Sequence, residues 1–153
     1  MSNISATDIK KLREATGARV MDCKKALEEA GGDFAKATKL VEERGLARAE
    51  KNADRETKVG YVGCYVHTNG MIGAMVEVLC ETDFVAKNEE FRQMVNDIAM
   101  HLAAMGAENN EDLLGQEFIR DASKTIEGLI KSLSGKIGEK MVLNRFQRFS
   151  VGE

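Results

Sequence analysis

Val59-Gly60-Tyr61-Val62-Gly63-Cys64-Tyr65-Val66-His67-Thr68-Asn69-Gly70-Met71-Ile72-Gly73-Ala74-Met75-Val76-Glu77-Val78-Leu79-Cys80 decides the fold. Apolar residues alternate through Val59–His67 and again through Met71–Cys80, with Thr68-Asn69-Gly70 between the runs. Period-two patterning sends successive side chains to opposite sheet faces, and Asn-Gly between two such runs is the strongest local signal for a β-hairpin. With Asn69 and Gly70 as the central turn residues, Thr68 faces Met71 and Tyr65 faces Ala74. Val59, Tyr61, Tyr65, Ile72, Ala74, Val76, Val78 and Cys80 then share one face, the one expected to be buried. The opposite face carries Val62, Cys64, Val66, Met71, Met75 and Leu79, with Glu77 among them. So apolar a face predicts cover by a second layer or a second subunit.

Upstream the period changes to helical. Ser5-Ala6-Thr7-Asp8 fits a capping box with Asp in the closing position. Ile9, Leu12 and Ala15 or Thr16 follow at helical spacing, and Gly17 ends the helix. A second helix is expected from about Arg19 to Ala30, with Val20, Cys23, Leu27 and Ala30 inward and Met21 outward. Asp33 caps a third, with Phe34, Ala37 and Val41 inward and Gly45 as its end. Leu46 to Lys58 is charged and mixed in sign and reads as a solvated linker.

Downstream, Asn88 caps a long helix with Phe91, Met94, Val95, Ile98, Leu102 and Met105 as its apolar stripe, ended by Gly106. His101 falls at the helix edge. Glu108 to Gly115 reads as an acidic loop, Ser123 to Ile137 as a last helix with Ile126, Leu129, Ile130, Leu133 and Ile137 inward, and Lys140 to Val151 as a final strand. Apolar parity in that strand breaks between Phe146 and Phe149, which suggests a bulge or burial on both faces. The pattern predicts an α+β chain in three parts. A three-helix bundle spans 1–46, a charged linker 47–58, and residues 59–153 form a small antiparallel three-stranded sheet packed with helices.

Composition excludes several classes. The chain has 153 residues, no proline, 22 Lys+Arg and 25 Asp+Glu, a net charge of −3 that argues against general nucleic-acid binding. No apolar run approaches 18 residues, and Met1 to Lys11 lacks the basic head and apolar core of a secretory signal. Three widely spaced cysteines make no disulfide framework. A cytoplasmic protein with reduced thiols is expected.

Enzymatic constellations are sparse. There is no GxxxxGK[ST], no GxGxxG and no CxxC, and only His67 and His101 could join a zinc site. Cys64 or Cys80 could pair with His67 as a nucleophile, but strand cysteines are usually inert packing. Two places suit partner binding better. Met21, with Lys24 and Lys25 nearby, is an adaptable contact surface. Glu81-Thr82-Asp83-Phe84-Val85-Ala86-Lys87-Asn88 joins a strand end to a helix cap. Residue types alone favour Phe84 tucked into the core; the alternative is a rigid aromatic anchor offered to another protein.

Three stretches carry a family resemblance. Leu12-Arg13-Glu14-Ala15-Thr16-Gly17-Ala18-Arg19-Val20-Met21-Asp22-Cys23-Lys24-Lys25-Ala26-Leu27 resembles the start of the elongation factor Ts family. Thr82-Asp83-Phe84-Val85-Ala86-Lys87-Asn88 resembles its signature turn, and Lys136-Ile137-Gly138-Glu139-Lys140-Met141-Val142-Leu143 through Val151-Gly152-Glu153 the ending of its short members. The resemblance implies a guanine-nucleotide exchange factor for elongation factor Tu, with no covalent chemistry, no cofactor, no metal, and no direct contact with nucleic acid or membrane. It implies a ubiquitin-associated-like N-terminal bundle that docks on the partner through Arg13, Val20, Met21 and Lys24. It places Thr82, Asp83, Phe84 and Val85 at the partner's magnesium and nucleotide site, with Asp83 and Phe84 entering it. Val20 stands where many relatives carry Met. Relatives have further helical sequence where Gly106 to Phe118 bridges directly here. Short members pair two chains, so a homodimer is expected. The alternative is a ubiquitin-associated-type scaffold without exchange activity.

Overall fold

The computed structural model describes residues 3–153, in which the chain forms two compact units. One comprises the chain up to Ala53 together with Ser132–Gly138; the other comprises Asp54–Lys131 and Glu139–Glu153. The first unit is built on α1 (Ala6–Thr16), α2 (Val20–Glu29) and α3 (Phe34–Lys51). Ser5 caps α1 in a complete box: its hydroxyl accepts from Asp8 N, and the Asp8 carboxylate accepts from Ser5 N, each at 3.1 Å. Gly17 takes φ 67°, the left-handed conformation that lets the chain turn sharply into α2. Leu12, Ala18, Cys23, Ala26, Leu27, Ala30, Ala37 and Val41 form the core.

Three expectations fail in this unit. Val20 is exposed, because it is the first residue of α2 and Ala18 takes the inward place at the helix entry. Phe34, the first residue of α3, is also exposed at the rim. Gly45 does not end α3. It lies mid-helix because the chain segment at Gly135 crosses there, so close that a Cβ on Gly135 would land on the Gly45 backbone. Arg48 ties the same crossing, donating from Nη1 to the Gly135 carbonyl (2.9 Å) and from Nη2 to Asp22 (2.8 Å).

The second unit holds β1 (Val59–Val66), β2 (Ile72–Cys80), α4 (Asp83–Ala86), α5 (Glu89–Met105), α6 (Asn110–Gly115), β3 (Glu117–Phe118), β4 (Asp121–Thr125) and β5 (Val142–Ser150). Helix α7 (Ile126–Ile137) begins in this unit and ends in the first. The main sheet has the order β1-β2-β5 and is antiparallel throughout. Its hairpin register is the expected one, with Tyr65 opposite Ala74 and Val59 opposite Cys80. Ala74, Val76, Val78 and Cys80 are buried beneath α5, where Phe91, Val95, Ile98 and Leu102 are also buried. Gly63 allows the helix to approach, since a Cβ there would meet Val95 Cγ1 at 2.8 Å. The other sheet face is open, with Val62, Val66, Met75 and Phe149 all exposed.

The remaining departures lie beyond α5. Glu108 to Gly115 is not all loop, for Asn109 caps α6. Asp121–Thr125 is a strand paired with β3, so the last helix begins at Ile126 instead of Ser123. His101 is fully buried, not at an edge. Ile119 N donates to its Nδ1 (3.1 Å), so Nε2 carries the proton and donates to Gln116 Oε1 (2.8 Å). Met105, expected inward, is exposed. The register shift of β5 falls opposite Glu77/Val78, at Asn144. Phe149 breaks parity because it faces the open side, opposite Gly73.

Candidate functional site

The turn after β2 is one short helix held at both ends. Thr82 caps α4, with Val85 N donating to its hydroxyl at 3.4 Å. A helix of four residues has no cooperative stability of its own, so its order comes from anchors. Val85 and Ala86 are buried. Arg92 Nε donates to the Ala86 carbonyl at 2.8 Å and its guanidinium lies 4.8 Å from the Tyr61 ring centre. At the other end the carboxylate of Glu139, just ahead of β5, accepts from Glu81 N (3.1 Å), Thr82 N (3.0 Å) and the Thr82 hydroxyl (2.7 Å). Glu81 reciprocates by accepting from Lys140 N at 2.9 Å, and it also pairs with Arg55 at 3.5 Å.

Between these anchors Phe84 is 88% exposed and Asp83 is exposed with it. The aromatic ring is therefore not core, whatever residue type alone favours. Of the four anticipated turn residues, Asp83 and Phe84 face solvent, Thr82 is both cap and hydrogen-bond donor, and Val85 is a buried support. Glu139 and Glu81 escaped the sequence reading as partners of the turn. Their signal was faint: Glu139 sits in the quoted ending motif, Glu81 directly before the signature.

For Cys80 the nucleophile reading fails on chemistry. The Cys80 thiol is pushed up to about 11 by burial, then by the negative charge of Glu139. It donates to the Thr82 carbonyl and is a thiol, not a thiolate, at neutral pH. Burial pushes the Cys23 thiol up as well. Among the described residues no three His, Cys, Asp or Glu side chains group as a metal site, and no helix is long and apolar enough to cross a membrane. An open depression of about 590 Å³ between Glu108–Glu111 and Asn144–Phe146 contains none of the anticipated site residues.

In the N-terminal unit the second set is equally accessible. Val20, Met21 and Lys24 are exposed on α2, at spacings that share one side of the helix, and Arg13 is exposed in the last turn of α1. The turn between these helices is pinned: the Thr16 hydroxyl donates to the Leu12 carbonyl (2.7 Å) and accepts from Ala18 N (3.2 Å).

Each unit thus turns side chains outward from a braced turn or helix, which defines an α+β protein built to present surfaces. Comparison with known proteins makes the class particular. A family model described as Elongation factor TS matches residues 81–153. The elongation factor Ts of Desulforamulus reducens is 41% identical over 198 residues, covering 100% of this chain and 91% of the relative. That of Thermosipho melanesiensis is 40% identical over 195 residues, covering 98% and 100%. That of Aquifex aeolicus is 48% identical over 153 residues, but this chain spans only 53% of its length. The chain belongs to the elongation factor Ts family, a family of translation elongation factors.

Proposed function

We propose that the protein is a guanine-nucleotide exchange factor that promotes GDP release from elongation factor Tu. Arg13, Val20, Met21 and Lys24 supply docking affinity. Asp83 and Phe84, backed by Thr82 and Val85, disturb the partner's magnesium and nucleotide site. No bond is made or broken. The factor binds the nucleotide-free partner best, so by linkage it weakens nucleotide binding by the same factor by which nucleotide weakens its own. The observation that carries this reading is Phe84, 88% exposed on a turn braced from both sides. An ordered aromatic side chain in water gains only when a partner covers it. The same reading makes the protein a cytoplasmic homodimer that pairs through its open sheet face, and makes residues 1–46 a docking domain joined to the 59–153 core through 47–58.

Release of a fluorescent GDP from elongation factor Tu, with and without the protein, is the test. Acceleration is expected. Phe84→Ala should slow release by about tenfold or more, as expected for a central anchor, while the melting temperature stays nearly fixed because the ring is not in the core. Asp83→Asn should show a milder loss. A stable Phe84→Ala protein that exchanges at the wild-type rate removes the mechanism. Binding without acceleration by the wild-type chain would favour the scaffold alternative.

A further inference from the structure

We infer that Glu139 is the positioning residue of the exchange turn: its carboxylate, on the segment leading into β5, fixes the backbone from which Asp83 and Phe84 project. The inference rests on the exchange reading above and extends it to a residue outside the turn. Three donors converge on this one group: Glu81 N, Thr82 N and the Thr82 hydroxyl, at 3.0–3.1 Å and 2.7 Å. Hydrogen bonds to an ionised acceptor are about twice as strong as neutral ones. Backbone bonds within the turn, such as Ala86 N to the Thr82 carbonyl at 3.1 Å, close the short helix on itself, and two further contacts of Thr82 are weak. The cap bond from Val85 N is long at 3.4 Å, and Cys80 Sγ reaches the Thr82 carbonyl at 3.4 Å through a poor donor.

The directions of the bonds make the clamp self-consistent. The Thr82 hydroxyl has one proton, which it gives to Glu139, leaving its lone pairs to accept from Val85 N. The carboxylate thereby orients the cap as well as the strand end. The pairing is reciprocal, since Lys140 N donates back to Glu81 at 2.9 Å, so the two chain segments are sewn together at adjacent residues. Phe84 cannot contribute to this order, being in solvent, and the Arg92 bond to Ala86 holds only the far end. Without Glu139 the near end keeps the Lys140 bond to Glu81 but loses the three bonds that fix the Glu81 and Thr82 amides and the Thr82 hydroxyl, and a displacement of about 1 Å at a reacting or anchoring group is enough to cost large factors in rate.

The experiment uses the full chain as wild type, Glu139→Ala, Glu139→Gln and Thr82→Val. The Gln side chain keeps an acceptor for the two amides and can donate to the Thr82 oxygen, so it should rescue. Glu139→Ala should lower the saturating rate of GDP release by about tenfold, whereas the concentration giving half the effect should change little because α2 is untouched. Glu139→Gln should restore most of the rate. In parallel, with no partner present, Phe84→Trp supplies the chain's only tryptophan. Its anisotropy, and the amide-exchange protection of Thr82 and Val85, should fall in Glu139→Ala and recover in Glu139→Gln. If Glu139→Ala melts below the assay temperature, Thr82→Val, which strips only the hydroxyl, should give the same pattern at smaller amplitude. Unchanged anisotropy and protection, or a loosened turn with a wild-type rate, overturns the inference. A wild-type chain that leaves GDP release unchanged defeats the exchange reading instead, and the anisotropy then still reports whether the clamp orders the turn.

Discussion

Phe84 stays in solvent because its neighbours on either side leave it no other place: Val85 and Ala86 take the buried positions, and Thr82 is tied to Glu139. Single residues elsewhere are set by the same kind of local contest. Full burial, and after it the negative charge of Glu139, holds the Cys80 thiol at about 11 against an ordinary 9.0. The stability consequence has a definite sign. Above the unfolded value the denatured chain gives up this proton while the native chain keeps it, so stability is fully present below pH 9 and falls as pH rises toward 11. A loss on the order of 1–2 kcal/mol across that window is expected after allowance for solvent screening. Urea titrations from pH 8 to 11 should show a steeper fall in the wild type than in Cys80→Ser, which keeps a donor to Thr82 but lacks that thiol, the buried Cys23 contributing equally to both. Below the concentration at which two chains pair, the protein should give one fast-alkylating thiol, the exposed Cys64, and two slow ones, Cys23 and Cys80, and pairing through the open face, which carries Cys64, should slow the fast one. Equal slopes with pH in the two proteins would mean that burial does not hold the Cys80 proton.

At the scale of elements, α2 combines two roles on opposite sides. Cys23, Ala26 and Leu27 hold the bundle together, while Val20, Met21 and Lys24 are exposed. Met21→Glu should therefore weaken binding to elongation factor Tu by about 2 kcal/mol or more if Met21 is a hot spot. Lys24→Ala should cost less and mainly reduce the salt dependence, as a rim charge does. Neither should move the melting temperature appreciably, and calorimetric titration alongside thermal melts checks both. Unchanged affinity for Met21→Glu would take this surface out of the interface. The elements also show why some of the structure was legible and some not. The β1–β2 register could be read from the chain because Asn69-Gly70 sets the turn and a one-residue slip would invert every side chain. The Ser5–Asp8 capping box and the α5 stripe from Phe91 to Leu102 are local in the same sense. Gly45 misleads because its helix continues only by virtue of Gly135, far along the chain. His101 misleads because its cover, Gln116 and Ile119, comes from a short hairpin too small to announce itself by periodicity. At the candidate site, Thr82 to Val85 and the α2 face were legible as motifs. The outward aim of Phe84 and its tie to Glu139 were not, since both depend on a contact across some fifty-seven positions.

For the molecule as a whole, the open face of the β1-β2-β5 sheet is the largest unresolved liability. Val62 and Val66 from β1, Met75 from β2 and Phe149 from β5 lie on it, and Val66 and Phe149 are 67% and 70% exposed. Contiguous apolar surface of this kind marks an interaction site more often than a tolerated defect. The charges on it, Glu77 and its cross-strand neighbour Arg145, are already matched within the sheet. Asn144 Nδ2 and Arg145 Nε both donate to Glu77 Oε2 at 2.8 Å, and these bonds, Asn144 first, hold the Glu77 carboxyl below the usual carboxylate range. Covering the face would then bury a hydrogen-bonded pair, which is tolerable, and not an isolated charge, which is not. The proposed homodimer stacks two such faces. Light scattering at micromolar concentration, with no partner present, should give the mass of two chains. Met75→Glu should give one chain with its fold intact, because an unpaired carboxylate at the centre of the stack has no compensating donor. Acid should weaken the fold of the single chain. The stability that Glu77 contributes is present while it is ionised and is lost as pH falls through its lowered value, so urea titrations at falling pH should show a loss in the wild type that Glu77→Gln lacks. A wild-type monomer under these conditions would reject the pairing and leave the sheet face to elongation factor Tu itself, a possibility that Met75→Glu would expose as a loss of complex affinity.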